Sequence, residues 1–217
     1  MRRITCYVLA MFTVSAGVAR AQIIRPQFNR SPAAYVSLGL GWLNQQGFCD
    51  KNAGGDCYDF GQAPQWRASF EMPLGGGSAW GVVGTLSRVS LTYYGTGLLN
   101  SCGQCDANAN ISQILGLFKM SGGQGFHQVI DIAAGAAMFN NFRASTGGTR
   151  LGSGKATTRL MGSIAYGFGY GFSPRSEAFV EEEYGMVFLP RTTGNNNNTA
   201  NIQTLRIGAR FGLGDKR

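Results

Sequence analysis

Residues 159–172 read RLMGSIAYGFGYGF, and the parity of this stretch decides the fold. Successive side chains of an extended strand point to opposite faces. Here Leu160, Ile164, Tyr166, Phe168, Tyr170 and Phe172 share one face, and Arg159, Ser163, Ala165, Gly167, Gly169 and Gly171 share the other. One surface is bulky and apolar; the other is small and carries a single charge. Three more segments repeat the pattern. Ala34, Val36, Leu38, Leu40 and Trp42 oppose Tyr35, Ser37, Gly39 and Gly41. Trp66, Ala68, Phe70, Met72 and Leu74 oppose Gln65, Arg67, Ser69 and Glu71. Leu205, Ile207, Ala209, Phe211 and Leu213 oppose Thr204, Arg206, Gly208, Arg210 and Gly212.

Four further segments are less regular. Segment 80–94 slips parity near Leu86, which points to a bulge. Segment 110–120 is apolar on both faces, and 126–142 is apolar and rich in alanine. Segment 177–189 carries Glu181-Glu182-Glu183, which must turn at least one carboxylate onto the apolar face unless it lies near an interface. The eight segments are joined by connections that alternate between long (44–64, 95–109, 143–156, 191–200) and short (75–79, 121–125, 173–176). Outer-membrane barrels have this asymmetry, with tight periplasmic turns and larger external loops.

Composition bears on which face meets lipid. Only 14% of residues are charged, against about 25% in typical soluble domains, and the 33 glycines are roughly twice the usual share. Small residues suit a narrow lumen. Aromatic residues gather near strand ends, with Trp42, Trp66 and Tyr93 towards the outside and Trp80, Phe126, Tyr170, Phe172 and Phe211 towards the periplasm, as in two interfacial girdles. The expected fold is all-β: an eight-stranded antiparallel up-and-down transmembrane β-barrel over residues 33–213. A soluble secreted barrel that buries the apolar face around an apolar ligand is the alternative.

Residues 1–21 read as a secretory signal: Met1-Arg2-Arg3, an apolar run from Ile4 to about Val18, and Ala19-Arg20-Ala21 as an A-x-A cleavage site. A periplasmic lead over 22–32, with Pro26 and Pro32, and a short tail over 214–217 complete the expected organisation. Losing Arg2, Arg3 and Arg20 takes the formal net charge from +8 to +5. The remaining arginines are scattered singly, without the basic cluster that a nucleic-acid surface needs. A mildly basic barrel facing outer-membrane lipid and anionic lipopolysaccharide is the reading preferred.

On these grounds the chain resembles the small eight-stranded outer-membrane barrels of OmpA-like or OmpX-like type. The resemblance covers about residues 33–213 and rests on two short patterns besides the architecture. One is the aromatic/glycine run Tyr166-Gly167-Phe168-Gly169-Tyr170-Gly171-Phe172. The other is the last strand, where Gly208, Phe211 and Leu213 are similar to the C-terminal signal read by the barrel-assembly machinery, with Leu213 in place of the second aromatic and four more residues following. The resemblance implies insertion by that machinery and no particular activity.

Candidate chemistry lies in the lumen. Arg67, Arg159, Arg206 and Arg210 fall on polar faces, and Glu71, Asp131, Glu181 and Glu183 are their expected partners, with Arg88 a further candidate. Eight strands leave room for side chains and little else, so a paired network is expected. After the leader, four cysteines remain: Cys49 and Cys57 in the first long loop, Cys102 and Cys105 in the second. An oxidising envelope favours disulfides, paired within each loop or across the two. The C-x-x-C at 102–105 lacks the βαβ setting of a redox site, and the spacing of Cys49 and Cys57 is wrong for a zinc ribbon. His127 is the single histidine, placed near the periplasmic rim with no evident serine or acid beside it. The stretch 148–157 fails the phosphate-loop spacing. No catalytic residue, metal or cofactor is expected. The expected role is structural or surface-interacting through the external loops, which could contact an extracellular ligand; a narrow porin-like channel for small polar solutes is the alternative.

Overall fold

In the computed structural model, residues 32–50, 56–94, 104–148, 150, 157–189 and 199–215 are described, with backbone alone for 48–50 and 56. The strands are β1 (Ala34–Gln45), β2 (Phe48–Asp50), β3 (Asp56–Phe60), β4 (Ala63–Gly75), β5 (Ser78–Tyr94), β6 (Gln104–Ser121), β7 (Gly125–Ala144), β8 (Thr157–Ser173), β9 (Ser176–Phe188) and β10 (Thr199–Leu213). Strands β1, β4, β5, β6, β7, β8, β9 and β10 pair in that cyclic order, with every pairing antiparallel; β10 returns to β1 and closes the barrel. Strands β2 and β3 form a short hairpin in the first long connection and extend the sheet along the outer end of β5. That hairpin was not foreseen from the sequence. The signal segment, the lead as far as residue 31 and the polar run Asn195–Asn198 lie outside the described residues.

The short turns are built for tightness. Gly75, Gly76 and Gly77 all have positive φ (110°, 61° and 82°), a conformation that a Cβ disfavours. Inside the barrel, glycine serves a different end. A Cβ on Gly167 would lie 2.0 Å from the Val180 carbonyl oxygen, whereas one on the outward-facing Gly116 would meet the Ala134 oxygen at 3.7 Å. At Gly167 the close approach of the adjacent strand β9 therefore leaves no room for a side chain.

The exterior carries the apolar belt. Trp42, Trp66, Phe70, Leu86, Ile164, Phe172, Leu205 and Ile207 are all exposed, while Arg67, Glu71, Arg206 and Arg210 are buried in the lumen. Trp80, Tyr170 and Phe211 are likewise exposed at their strand ends. Such a surface is stable in hydrocarbon and unstable in water.

Two expectations are corrected by the middle strands. Strand β5 does not slip: its alternation runs unbroken from Ala79 to Tyr94, and its register with β6 is continuous. What changes at Leu86 is polarity. Below it Trp80, Val82 and Leu86 face out; above it Arg88 and Ser90 face out while Val89, Leu91 and Tyr93 face in. Tyr93 is thus 3% exposed inside the barrel, its ring tilted against that of Tyr58 with centroids 5.5 Å apart, and is not part of a girdle. The cause is length. Seventeen residues span about 56 Å, a rise of roughly 43 Å at a typical barrel tilt, against an apolar belt of about 25 Å. The excess stands outside the membrane, where a strand must be polar outside and apolar inside. Leu43, Phe60, Val89, Leu91, Ile111, Phe139, Met161, Val187 and Ile202 accordingly pack as one core within the outer half of the barrel. Strand β6 reads as apolar on both faces, and β7 as apolar and rich in alanine, because they too cross this boundary.

Candidate functional site in the barrel interior

Below the apolar core, the lumen is filled by charged side chains from five strands, β4, β6, β7, β9 and β10. Glu181 on β9 is the hub. Arg67 (β4) donates through Nη1 at 2.9 Å and Arg206 (β10) through Nη1 at 2.6 Å, both to Oε1. Lys119 Nζ (β6) lies 3.8 Å from Oε2. The second nitrogen of Arg67 donates to Asp131 (β7) at 2.7 Å, and Lys119 reaches the same carboxylate at 3.0 Å. Arg206 Nη2 donates to Glu183 at 2.6 Å and to Gln65 at 2.9 Å. Lys119 also sits 4.6 Å from the centroid of the Phe179 ring, a cation–π contact.

A second group closes the periplasmic end. Arg210 pairs with Glu71 at 2.8 Å and Glu177 at 3.5 Å, and its guanidinium lies 3.7 Å from the Tyr35 ring centroid. Ser37 and Ser69 each donate to Glu71 at 2.7 Å. Ser121 donates to Glu177 at 2.7 Å, and His127 Nε2 lies 3.2 Å from the same oxygen. His127 Nδ1 is 3.0 Å from the Gly125 carbonyl oxygen.

The structure therefore brings together Arg67, Glu71, Asp131, Glu181, Glu183, Arg206 and Arg210 in the lumen. It does not bring in Arg159. That residue has inward parity but stands opposite Ala137 at the outer end of β8, where the interior is apolar, and its guanidinium donates to the Thr158 carbonyl. Arg88 faces outward and is exposed. Lys119, Glu177, Ser121 and the His127 contacts were missed. Lys119 was hidden between Leu117 and Met120; the register of the 121–125 turn, which sets Lys119 opposite Asp131, was the available signal. Among the described residues the buried acids are Glu71, Asp131, Glu177, Glu181 and Glu183, and the buried cations Arg67, Lys119, Arg206 and Arg210, with His127 beside Glu177. The two ring nitrogens of His127 face oxygen atoms, Nδ1 the Gly125 carbonyl and Nε2 the Glu177 carboxylate.

Serine, histidine and glutamate thus meet at one place, but not as a relay. A Ser–His–acid triad sets the acid on one ring nitrogen and the serine on the other. Here the acid and the serine lie on the same nitrogen, and the serine gives its proton to the carboxylate. Among the described residues no group of His, Cys, Asp and Glu is arranged to hold a metal ion.

Cys57 and Cys105 are each disulfide-bonded. The Cys49 side chain and all of Cys102 lie outside the described residues, and so does the connectivity. Cys49 and Cys57 stand directly opposite in the β2–β3 ladder.

No protein-family model matches the chain, and no curated protein is similar to it in sequence. Solved structures are similar in fold. Neisserial surface protein A aligns with a TM-score of 0.52 at 11% identity, over 84% of this chain and 99% of its own. The chain has the fold of a small eight-stranded outer-membrane barrel. OprG of Pseudomonas aeruginosa aligns with a TM-score of 0.45 at 13% identity, over 84% of this chain and 98% of its own. The outer-membrane protease OmpT of Escherichia coli aligns with a TM-score of 0.41 at 11% identity, over 88% of this chain and 99% of its own. Likeness at this level of identity is a likeness of fold alone, and activity must be judged from the residues.

Proposed function

We propose that this chain is a non-enzymatic, non-conducting outer-membrane barrel whose role is structural or surface-interacting, exercised through its external loops. The observation that carries the reading is the double occlusion of the lumen. A charge-paired layer built on Glu181 fills the inner half, and an apolar core built on Leu43, Val89, Leu91 and Ile202 fills the outer half. A hydrated ion would have to break several buried ion pairs and then cross an apolar plug. Opening a single buried pair costs several kcal/mol.

The same reading supplies its partners. Outer-membrane lipid surrounds the belt, lipopolysaccharide faces the polar outer wall near Arg88, and the barrel-assembly machinery inserts the chain after export. The outer wall, with its own apolar core, holds the loops clear of the membrane as a stiff platform. Disulfides within loops, Cys49–Cys57 and Cys102–Cys105, would add to that stiffness; directly opposed strand positions have Cα separations of about 4.5–5.5 Å, within the disulfide range. The test is planar-bilayer conductance of the purified full chain. No unitary current steps are expected. Reproducible steps that vanish with Arg206→Ala or Glu71→Ala would overturn the reading in favour of a narrow polar channel.

A further inference from the structure

Of the three consecutive glutamates on β9, two serve the lumen and one does not. Glu181 and Glu183 face in; Glu182 faces out and is exposed. It is surrounded by outward-facing apolar groups: Val180 and Tyr184 along β9, Leu205 opposite on β10 and Tyr166 opposite on β8. No described cation pairs with it. Among the described residues its side-chain hydrogen bond comes from the Gln203 amide on β10, also outward and exposed. A carboxylate on the lipid-facing wall of a barrel is unfavourable, and an ionisable group there points to a partner.

We infer that the outer face of β9–β10 docks against a second copy of this chain, with Glu182 and Gln203 at the centre of the contact. The inference rests on the membrane-barrel reading above. Its basis is self-complementarity. The carboxylate keeps one oxygen, and the amide one N–H, beyond the bond they share. Because the two groups touch, they lie at one depth. A two-fold axis along the membrane normal, the only two-fold that keeps both copies in the same orientation, carries this pair onto itself. The free N–H of Gln203 of the partner subunit then meets the free oxygen of Glu182, and the reverse contact forms by symmetry. Leu205, Ile207, Val180 and Tyr184 frame the polar centre with exposed apolar surface. Polar side chains in an apolar setting are the kind of contact that joins membrane-embedded segments.

The test places a photoreactive benzoyl-phenylalanine at position 180 of the full chain in native outer membranes. The expected product on irradiation is a covalent species of twice the chain mass that contains this chain alone. The same probe at position 82, outward on β5 across the barrel, gives none. Glu182→Leu and Gln203→Leu each lower the dimer yield by about tenfold, as loss of one to two kcal/mol of polar contact implies, while heat-modifiable migration shows that the barrel still folds. Capture of lipid alone, or of another protein, overturns the proposal, as does a dimer yield that Glu182→Leu leaves unchanged. Recovery of the unmodified chain in the periplasmic fraction would instead defeat the membrane reading itself, so the two failures are distinct.

Discussion

Arg206 offers the most demanding test of the interior. It is 0% exposed and binds Glu181 at 2.6 Å, Glu183 at 2.6 Å and Gln65 at 2.9 Å. Its two carboxylate partners differ in what they lose with it. Glu181 keeps Arg67 at 2.9 Å and Lys119 at 3.8 Å; Glu183 has no other described ion-pair partner. Arg206→Met should therefore leave Glu183 buried with a Ser163 hydrogen bond and the more distant Arg67 charge but no direct ion pair, and destabilise the barrel by about 3 kcal/mol. Glu183→Met should cost less, about 1.5–3 kcal/mol, since Arg206 retains Glu181 and Gln65. In the double variant neither charge remains to be stranded, so it should be more stable than Arg206→Met alone, with a coupling energy of roughly 2–3 kcal/mol. The assay is urea unfolding in phospholipid vesicles, followed by tryptophan fluorescence and by heat-modifiable migration. If the two single costs simply add in the double variant, the pairing assigned to Arg206 and Glu183 is wrong.

Glycine substitutions should separate the two faces: Gly167→Ala forces a Cβ to 2.0 Å from a backbone oxygen and should cost about 3 kcal/mol or more, while Gly116→Ala meets only ordinary contact and should be neutral or stabilising by about 0.4–1 kcal/mol in the same unfolding assay. The polarity reversal along β5 makes a paired prediction. Leu91→Asp, in the outer core, should destabilise by about 3 kcal/mol or more, whereas Arg88→Asp, on the polar outer wall, should change stability by less than about 0.5 kcal/mol. For the cysteines, non-reducing peptide mapping of the mature protein should yield Cys49–Cys57 and Cys102–Cys105 peptides; cross-loop peptides would reject the local pairing.

How far the sequence could be read depended on where each strand ends. Strands β1, β4, β8 and β10 keep most of their alternating residues within the belt, so a single rule, apolar out and small or charged in, describes nearly all of each. Strands β5, β6 and β7 continue beyond it, and there the rule inverts without any change of parity. Seen as sequence, Leu86 followed by Val89, Leu91 and Tyr93 resembles a slipped strand; seen in three dimensions it is one regular strand in two solvents. The same inversion explains Arg159, whose parity is inward but whose level is apolar. The contacts of His127 were illegible for another reason. Ser121 and His127 lie on the adjacent strands β6 and β7, but Glu177 comes from β9, beyond β8, and the curvature of the barrel wall brings it to 2.7 Å from Ser121 and 3.2 Å from His127. The glutamate triplet, by contrast, was legible as a conflict: one carboxylate had to face the wrong way, and Glu182 does.

The protein's three tryptophans, Trp42, Trp66 and Trp80, are 57%, 65% and 48% exposed on the outer wall, so intrinsic fluorescence reports directly on what that wall touches. In vesicles of lipids brominated at different depths, the barrel should show strong quenching, greatest for bromines near the headgroup end of the chains, where interfacial girdles sit. Emission unaffected by brominated lipid, with the protein still folded, would mean that the apolar wall does not face hydrocarbon.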